Sequence, residues 1–333
     1  MFRIFRLEED RVLNEVLSKG FKRVLVQAPE GLRPHLKPMV DRLRKLGVTV
    51  FLSGNPCYGA CNLAIREAEM LNVDLIVHVG HSPMVPSGRI PVVYLDAQYT
   101  VRTDRCLEKF KETLLRFRSL GLFSSIQFIG YLEEARKTLE QWGLNVFIGR
   151  GSGVKYAGQV LGCNYTSPLE VENRVDGFLF IGGGLFHPLG LSLLTDKPVM
   201  ALNPLTCSLR DMDALKRRYL RRRYASIVEA RNGRVFGVLV GLEPGQFRLR
   251  QAEGLKNLIE GLGREAYLLG FNYLDASMLE AYTWIDVFVN TACPRLSLED
   301  SERLSKPVLS PAELLVALGL MSWEEYIGEP SQT

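Results

Sequence analysis

Six cysteines are spread through the 333 residues, and they are the side chains best suited to chemistry. Two of them, Cys57 and Cys61, sit in "NPCYGACNLA" with three residues between them. Thiolates at such spacing serve as ligands for zinc or for an iron–sulfur cluster, or they form a redox pair. Equally, a cysteine near a turn can be a small buried hydrophobe. A third cysteine three residues on would complete a cluster-binding loop, but Ala64 stands there. The pair alone decides nothing; further ligands must come from elsewhere in the chain.

A repeat supplies the frame for that search. Asp74, Asp176 and Asp286 open the runs "DLIVHVGH", "DGFLFIGG" and "DVFVNTAC", each short, apolar and rich in β-branched or aromatic residues. Strands buried on both faces of a parallel sheet read this way. Upstream lie "KRVLVQAPEG", "SIQFIGYLEE" and "VFGVLVGLEPG", which are expected as first strands. An amphipathic helix follows each, with apolar faces such as Leu132, Ala135, Leu139 and Trp142, and ends at Gly47, Gly143 or Gly263. Second strands ("VTVFLSG", "LNVFIGR", "EAYLLGF") and fourth strands ("PVVYLDA", "PVMALN", "PVLS") complete each unit. The fold class is therefore α/β: three similar α/β domains with short parallel sheets, 1–105, 106–208 and 209–333, in a pseudo-threefold arrangement around a common centre. Ligands of such sheets bind beyond the carboxyl ends of the strands.

Within this frame Cys61 and Cys163 each lie 13 residues before the aspartate of their unit, in the loop after the second strand. The third unit has Tyr273 at that place and offers Cys293 instead, 7 residues after Asp286, from a loop at the same sheet edge. One cysteine per unit can thus converge on a shared centre. Structural zinc would need a fourth ligand, from Cys57 or a histidine. A [4Fe–4S] cluster on three cysteines would keep one iron open for a substrate. Cys106 and Cys207 fit no repeat position and read as isolated buried thiols.

Composition excludes several classes. At 47% hydrophobic and 23% charged, the chain is that of a soluble globular protein, with no apolar run of membrane-spanning length. "MFRIFRLEEDRVLNEVL" turns acidic too early for a secretory signal, so a cytoplasmic location is expected. Six cysteines in that reducing compartment argue against a disulfide framework. A net charge of +4 does not call for a direct nucleic-acid partner. The basic run "KRRYLRRRY" (216–224) reads as a helix with a solvated face.

"YGAC" (58–61), "LGCNY" (161–165) and "NTACPRLSLED" (290–300) resemble the three cysteine segments of the diphthamide-biosynthesis radical enzymes, most closely their archaeal homodimeric members. "HVGHS", "YLDAQY" and "PVLSPAELLVAL" support the resemblance, which spans nearly the whole chain; the family's aspartate at position 62 is replaced by Asn62. The resemblance implies three α/β domains around a [4Fe–4S] cluster held by Cys61, Cys163 and Cys293, with S-adenosylmethionine on the open iron. It implies a 3-amino-3-carboxypropyl transferase that releases methylthioadenosine and modifies a histidine of translation elongation factor 2, the first step towards diphthamide. A homodimer and an external electron donor follow from the same resemblance. In that setting Arg295 and Gln246 are placed to hold the cosubstrate carboxylate. Gly182, Gly183 and Gly184 are placed to line the adenosine, and His81 and His187 to move protons at the substrate imidazole. A quinolinate-synthase-like dehydratase shares the three-domain, three-cysteine plan, but "ACPRLS" speaks against it. A zinc-stabilised accessory subunit would be expected to lack one cysteine of the three.

Overall fold

The computed structural model describes residues 5–298 and 304–328. Residues 299 and 300, which end the "NTACPRLSLED" segment, lie outside them. Three separate sheets follow one another along the chain. In the first, Thr49–Leu52, Arg23–Gln27, Leu75–Val79 and Val92–Leu95 lie side by side, all parallel. In the third, Glu265–Phe271, Val235–Gly241, Val287–Asn290 and Val308–Leu309 repeat that order, again parallel. The second places Asn145–Phe147, Ser119–Ser124, Gly177–Ile181 and Val199–Asn203 in the same order and adds the antiparallel edge strand Ser208–Asp211. Each sheet therefore runs second, first, third, fourth strand. A further antiparallel pair, Phe5–Arg6 with Gln98–Tyr99, lies apart from them.

The three aspartates that open the repeat share one structural task. An oxygen of Asp74 accepts the backbone N–H groups of Lys22 and Arg23 at 2.7 and 2.8 Å. Asp176 accepts those of Arg118 and Ser119, each at 3.0 Å. Asp286 accepts those of Arg234 and Val235 at 2.8 and 3.0 Å. Each carboxylate thus clamps the start of its unit's first strand to the start of the third, which sets their register; the N–H pair holds the Asp176 carboxyl below its ordinary range.

This clamp corrects one expectation. The first strand of the second sheet is Ser119–Ser124, not "SIQFIGYLEE". The run from residue 125 instead forms a turn and the short 3-10 helix Ile129–Tyr131, where Ile126 and Phe128 are buried as a plug rather than as ladder residues. Two further expectations change. Cys106 and Cys207 are joined as a disulfide, with Cα atoms 5.1 Å apart. The turn into the edge strand at Ser208 carries Cys207 back against the helix Asp104–Lys109, so two thiols distant in sequence meet. The basic run lies on the helix Asp213–Ala230, but its face is not wholly solvated: Tyr219, Arg223, Ile227 and Ala230 are buried. No helix among the described residues is long and apolar enough to cross a membrane.

Arg223 and Glu313 are each only 1% exposed and form a two-pronged pair at 2.7 and 2.5 Å. A third guanidinium N–H goes to the carbonyl of Val308, and the Tyr326 hydroxyl donates to Glu313 at 3.0 Å. Burial alone would raise the Glu313 carboxyl; the Arg223 charge and hydrogen bonds outweigh it and hold the group below its usual range. Ser310 and Glu313 close a capping box on the helix Pro311–Ala317, so the Arg223–Glu313 pair fixes the last strand of the third unit and the helix that follows it. Glu313→Ala leaves a buried guanidinium without its counter-charge. The expected cost is about 3–5 kcal/mol of stability, read from denaturant unfolding.

Candidate metal centre

Each of the three cysteines leaves the carboxyl edge of a different sheet. Cys61 sits in the 3-10 turn Ala60–Asn62, beyond the strand Thr49–Leu52. Cys163 occupies the tight turn in which Leu161 and Asn164 exchange backbone hydrogen bonds at 3.0 and 3.1 Å. Cys293 follows the strand Val287–Asn290 and precedes the helix Pro294–Leu298. There the Asn290 side-chain amide donates to the Cys293 carbonyl and to the Ser297 hydroxyl, at 2.8 and 3.0 Å, and so locks the turn.

The loops meet. The N–H of Gly245 donates to the Cys61 carbonyl at 3.0 Å, and the Gln246 side-chain amide donates to Cys61 Sγ at 3.4 Å. A Cβ added at Gly245 would lie 2.5 Å from Cys61 Cβ and 2.7 Å from its Cα, so only glycine admits this approach. The thiols sense one another. Burial raises all three, Cys293 to about 11, and the charge of Cys61 adds to the rise at Cys163 and at Cys293. Arg248 works against it at Cys163, and the Gln246 hydrogen bond works against it at Cys61. The three cysteines do not close to the spacing of a single-ion site; among the described residues Cys57, His78 and His81 do, with ligand atoms within 4.8 Å of one another. Three half-buried, mutually interacting thiols held wider apart than one ion can bridge fit a polynuclear cluster. The amide N–H on Cys61 Sγ is the outer hydrogen bond such sulfurs receive.

Two cavities flank the cysteines. One is walled by Tyr58, Asn62, Glu243, Gln246, Cys293 and Arg295. The Arg295 guanidinium stacks over Tyr58, 4.4 Å from the ring centroid, and Tyr58 stacks in turn on Tyr273 at 6.0 Å. Asn62 Oδ1, buried here, has no hydrogen-bond partner. The second cavity runs between Gly162, Tyr165, Arg248, Thr291 and Pro294.

The other expected site residues are distributed differently. His81 is paired through Nδ1 with His78 Nε2 at 2.9 Å. Gly182, Gly183 and Gly184 follow the strand Gly177–Ile181 but wall neither cavity. His187 also lies outside both, packed flat on Phe180 at 6.0 Å and edge-on to Phe186 at 5.3 Å. Tyr58, Glu243, Arg248 and Tyr273 were missed by sequence reasoning. Tyr58 and Glu243 belong to the segments "YGAC" and "GLEPG", and their neighbours Cys61 and Gln246 were the available signal.

Two outcomes follow from this geometry. Gly245→Ala pushes a methyl into the Cys61 backbone. It should cost about 1–3 kcal/mol in thermal unfolding and lower the iron bound per chain after anaerobic reconstitution. His187 has its imidazole pKa lowered by burial to about 4. Below an unfolded value of about 6.5 the unfolded chain takes a proton that the folded ring refuses. Stability should therefore fall as pH drops from about 6.5 towards 4, and His187→Gln should flatten that slope.

Comparison with known proteins gives this geometry a context. The family described as "Putative diphthamide synthesis protein" matches residues 28–327. The 2-(3-amino-3-carboxypropyl)histidine synthase of Pyrococcus horikoshii is 37% identical, over 99% of this chain and 96% of its own length. Subunit 1 of the same-named human enzyme is 29% identical, over 96% of this chain and 74% of its own. The crystal structure of Dph2 from Pyrococcus horikoshii with a 4Fe-4S cluster superposes with a TM-score of 0.89 at 37% identity, over 96% of this chain and 93% of that one. The sequence match along nearly the whole chain and the shared fold leave one assignment: this chain belongs to the diphthamide synthesis family.

Proposed function

We propose that the chain transfers the 3-amino-3-carboxypropyl group of S-adenosylmethionine to a histidine of translation elongation factor 2, the first step of diphthamide biosynthesis. In this reading Cys61, Cys163 and Cys293 hold a [4Fe–4S] cluster. The observation that carries it is the approach of three half-buried thiols, one from the carboxyl edge of each sheet, to within electrostatic reach of one another, with Cys61 tied to the third unit by Gly245. When bound, such a cluster offers one iron without a protein ligand and supplies the electron that breaks the carbon–sulfur bond of the cosubstrate.

The chain's own groups do the positioning. Arg295, braced on Tyr58, presents its guanidinium to the cosubstrate carboxylate in the cavity beside Cys293. Asn62 Oδ1, a buried acceptor without a donor, takes the cosubstrate ammonium. Gln246 steadies the Cys61 sulfur with its amide N–H. His81 is engaged by His78, and His187 stands outside the cavity walls, so this reading assigns no step to either. The division into units 1–105, 106–208 and 209–333, arranged about the cluster, belongs to this reading. So do a cytoplasmic homodimer and an external electron donor.

Anaerobic reduction followed by addition of S-adenosylmethionine tests the chemistry. Methylthioadenosine is expected as the released nucleoside; deoxyadenosine would mean that the other carbon–sulfur bond breaks and would sink the proposal. Cys61→Ala, Cys163→Ala and Cys293→Ala should each lose bound iron and the product. Gln246→Leu should keep the fold and lower activity about 10–100-fold.

A further inference from the structure

Cys57, His78 and His81 take no part in the proposed transfer, yet they form the tightest group of metal-type donors among the described residues. Their setting is built rather than incidental. On one face of the first sheet, at its carboxyl edge, Gln27, His78 and Tyr94 stand in a row on adjacent strands, with Gln27 beside His78 and His78 beside Tyr94. Gln27 is 1% exposed and His78 fully buried. The Gln27 amide has its orientation set: Oε1 accepts the backbone N–H of Ala64 at 3.0 Å, and Nε2 donates to the Asn62 carbonyl at 2.8 Å. Since Oε1 is an acceptor, the His78 Nδ1 facing it at 2.9 Å carries the proton. The lone pair of His78 is then on Nε2, and Nε2 faces His81 Nδ1 at 2.9 Å.

This is the arrangement by which proteins orient a ligating imidazole, with the far nitrogen tied to an oxygen and the near one left basic. Cys57, 2% exposed, completes a set of one sulfur and two imidazoles in which Cys57 and His78 are buried and His81 is half-buried. The Tyr94 hydroxyl, on a ring 5.4 Å from that of His78 and 91% buried by its 9% exposure, has no hydrogen-bond partner. A buried hydroxyl without a partner, on the ring next to His78, is accounted for by a ligand or a bound water. One sulfur and two nitrogens select a borderline-soft divalent ion of the zinc class; with no carboxylate in the group, calcium and magnesium, which prefer carboxylates, are disfavoured. Tetrahedral zinc with bonds of about 2.0 Å to nitrogen sets the nitrogens about 3.3 Å apart. His81 lies in the loop after its strand, so opening the 2.9 Å contact by a few tenths of an ångström needs only a small turn of that loop.

We propose that Cys57, His78 and His81 form a mononuclear zinc-class site, distinct from the cysteines that gather between the sheets. The ion ties the loop bearing Cys57 and Cys61 to the edge of the first sheet, and water or the Tyr94 hydroxyl fills its fourth position. The inference does not depend on the proposed reaction.

The test measures zinc and iron per chain in anaerobically reconstituted full-length protein by elemental analysis. About one zinc per chain is expected in the parent protein and in the combined Cys61→Ala, Cys163→Ala, Cys293→Ala variant, which lacks iron. Cys57→Ser and His81→Gln should each lower zinc at least tenfold while iron stays bound. Cobalt added to the iron-free triple variant gives a second readout, independent of whether the Cys57 variant folds: one equivalent should produce the thiolate-to-cobalt absorption and the visible bands of a tetrahedral ion. Zinc absent from the parent, zinc lost with the three cluster cysteines, zinc unchanged in Cys57→Ser, or cobalt without a thiolate band would each overturn the proposal. Failure of the transferase reading would leave these outcomes unaffected.

Discussion

The contact of Gly245 with Cys61 is the constraint on which the centre depends. A turn from the third unit lays its backbone on a loop of the first, close enough for N–H to carbonyl bonding and too close for any side chain at that glycine. The same turn brings Gln246 to the sulfur. Without it, the first and third sheets would present their cysteines to separate stretches of solvent. Burial then does the electrostatic work: no carboxylate among the described residues hydrogen-bonds the three thiols, and their raised proton affinity is the ordinary response of a thiol to a low dielectric.

Much of the fold was legible because each unit repeats one mechanical solution. An aspartate at the mouth of the third strand clamps two N–H groups of the first, and this fixes strand order and offset. With that offset repeated, Cys61 and Cys163 fall at equal distances from their aspartates. The first strand of the second sheet was misread because "SIQF" carries as much apolar character as a strand, while the actual strand "SLGLFS" is interrupted by Gly121. Phe178 lies against that glycine, where any Cβ would meet the ring at 2.6 Å. Alternation of residue types cannot distinguish a turn that plugs a core from a strand that crosses it.

The centre itself was readable at the level of which cysteines, and far less at the level of what surrounds them. The Tyr58–Tyr273 stack, the reach of Arg248 towards Cys163 and the bond from Gln246 to a sulfur join residues of different units. No local pattern encodes such pairs; they exist only once the sheets are packed. Arg223 illustrates the same limit in reverse. Its neighbours Arg221 and Arg222 make it look like one more surface charge, yet its position on the helix places it under Glu313, 90 residues away, in a pair that water does not reach.

The bond between Cys106 and Cys207 gives the second unit a different topology from its neighbours. Its two ends, 101 residues apart in sequence, are one covalent link apart, so the segment is a closed ring carried between two linear arms. Chain-entropy reasoning assigns a ring of that size about 4.7 kcal/mol through restriction of the unfolded ensemble. The ring also changes what damage looks like. A single peptide-bond cut inside it leaves one molecule of unaltered connectivity between the first and third sheets, and the cut declares itself only when a thiol reductant opens the ring.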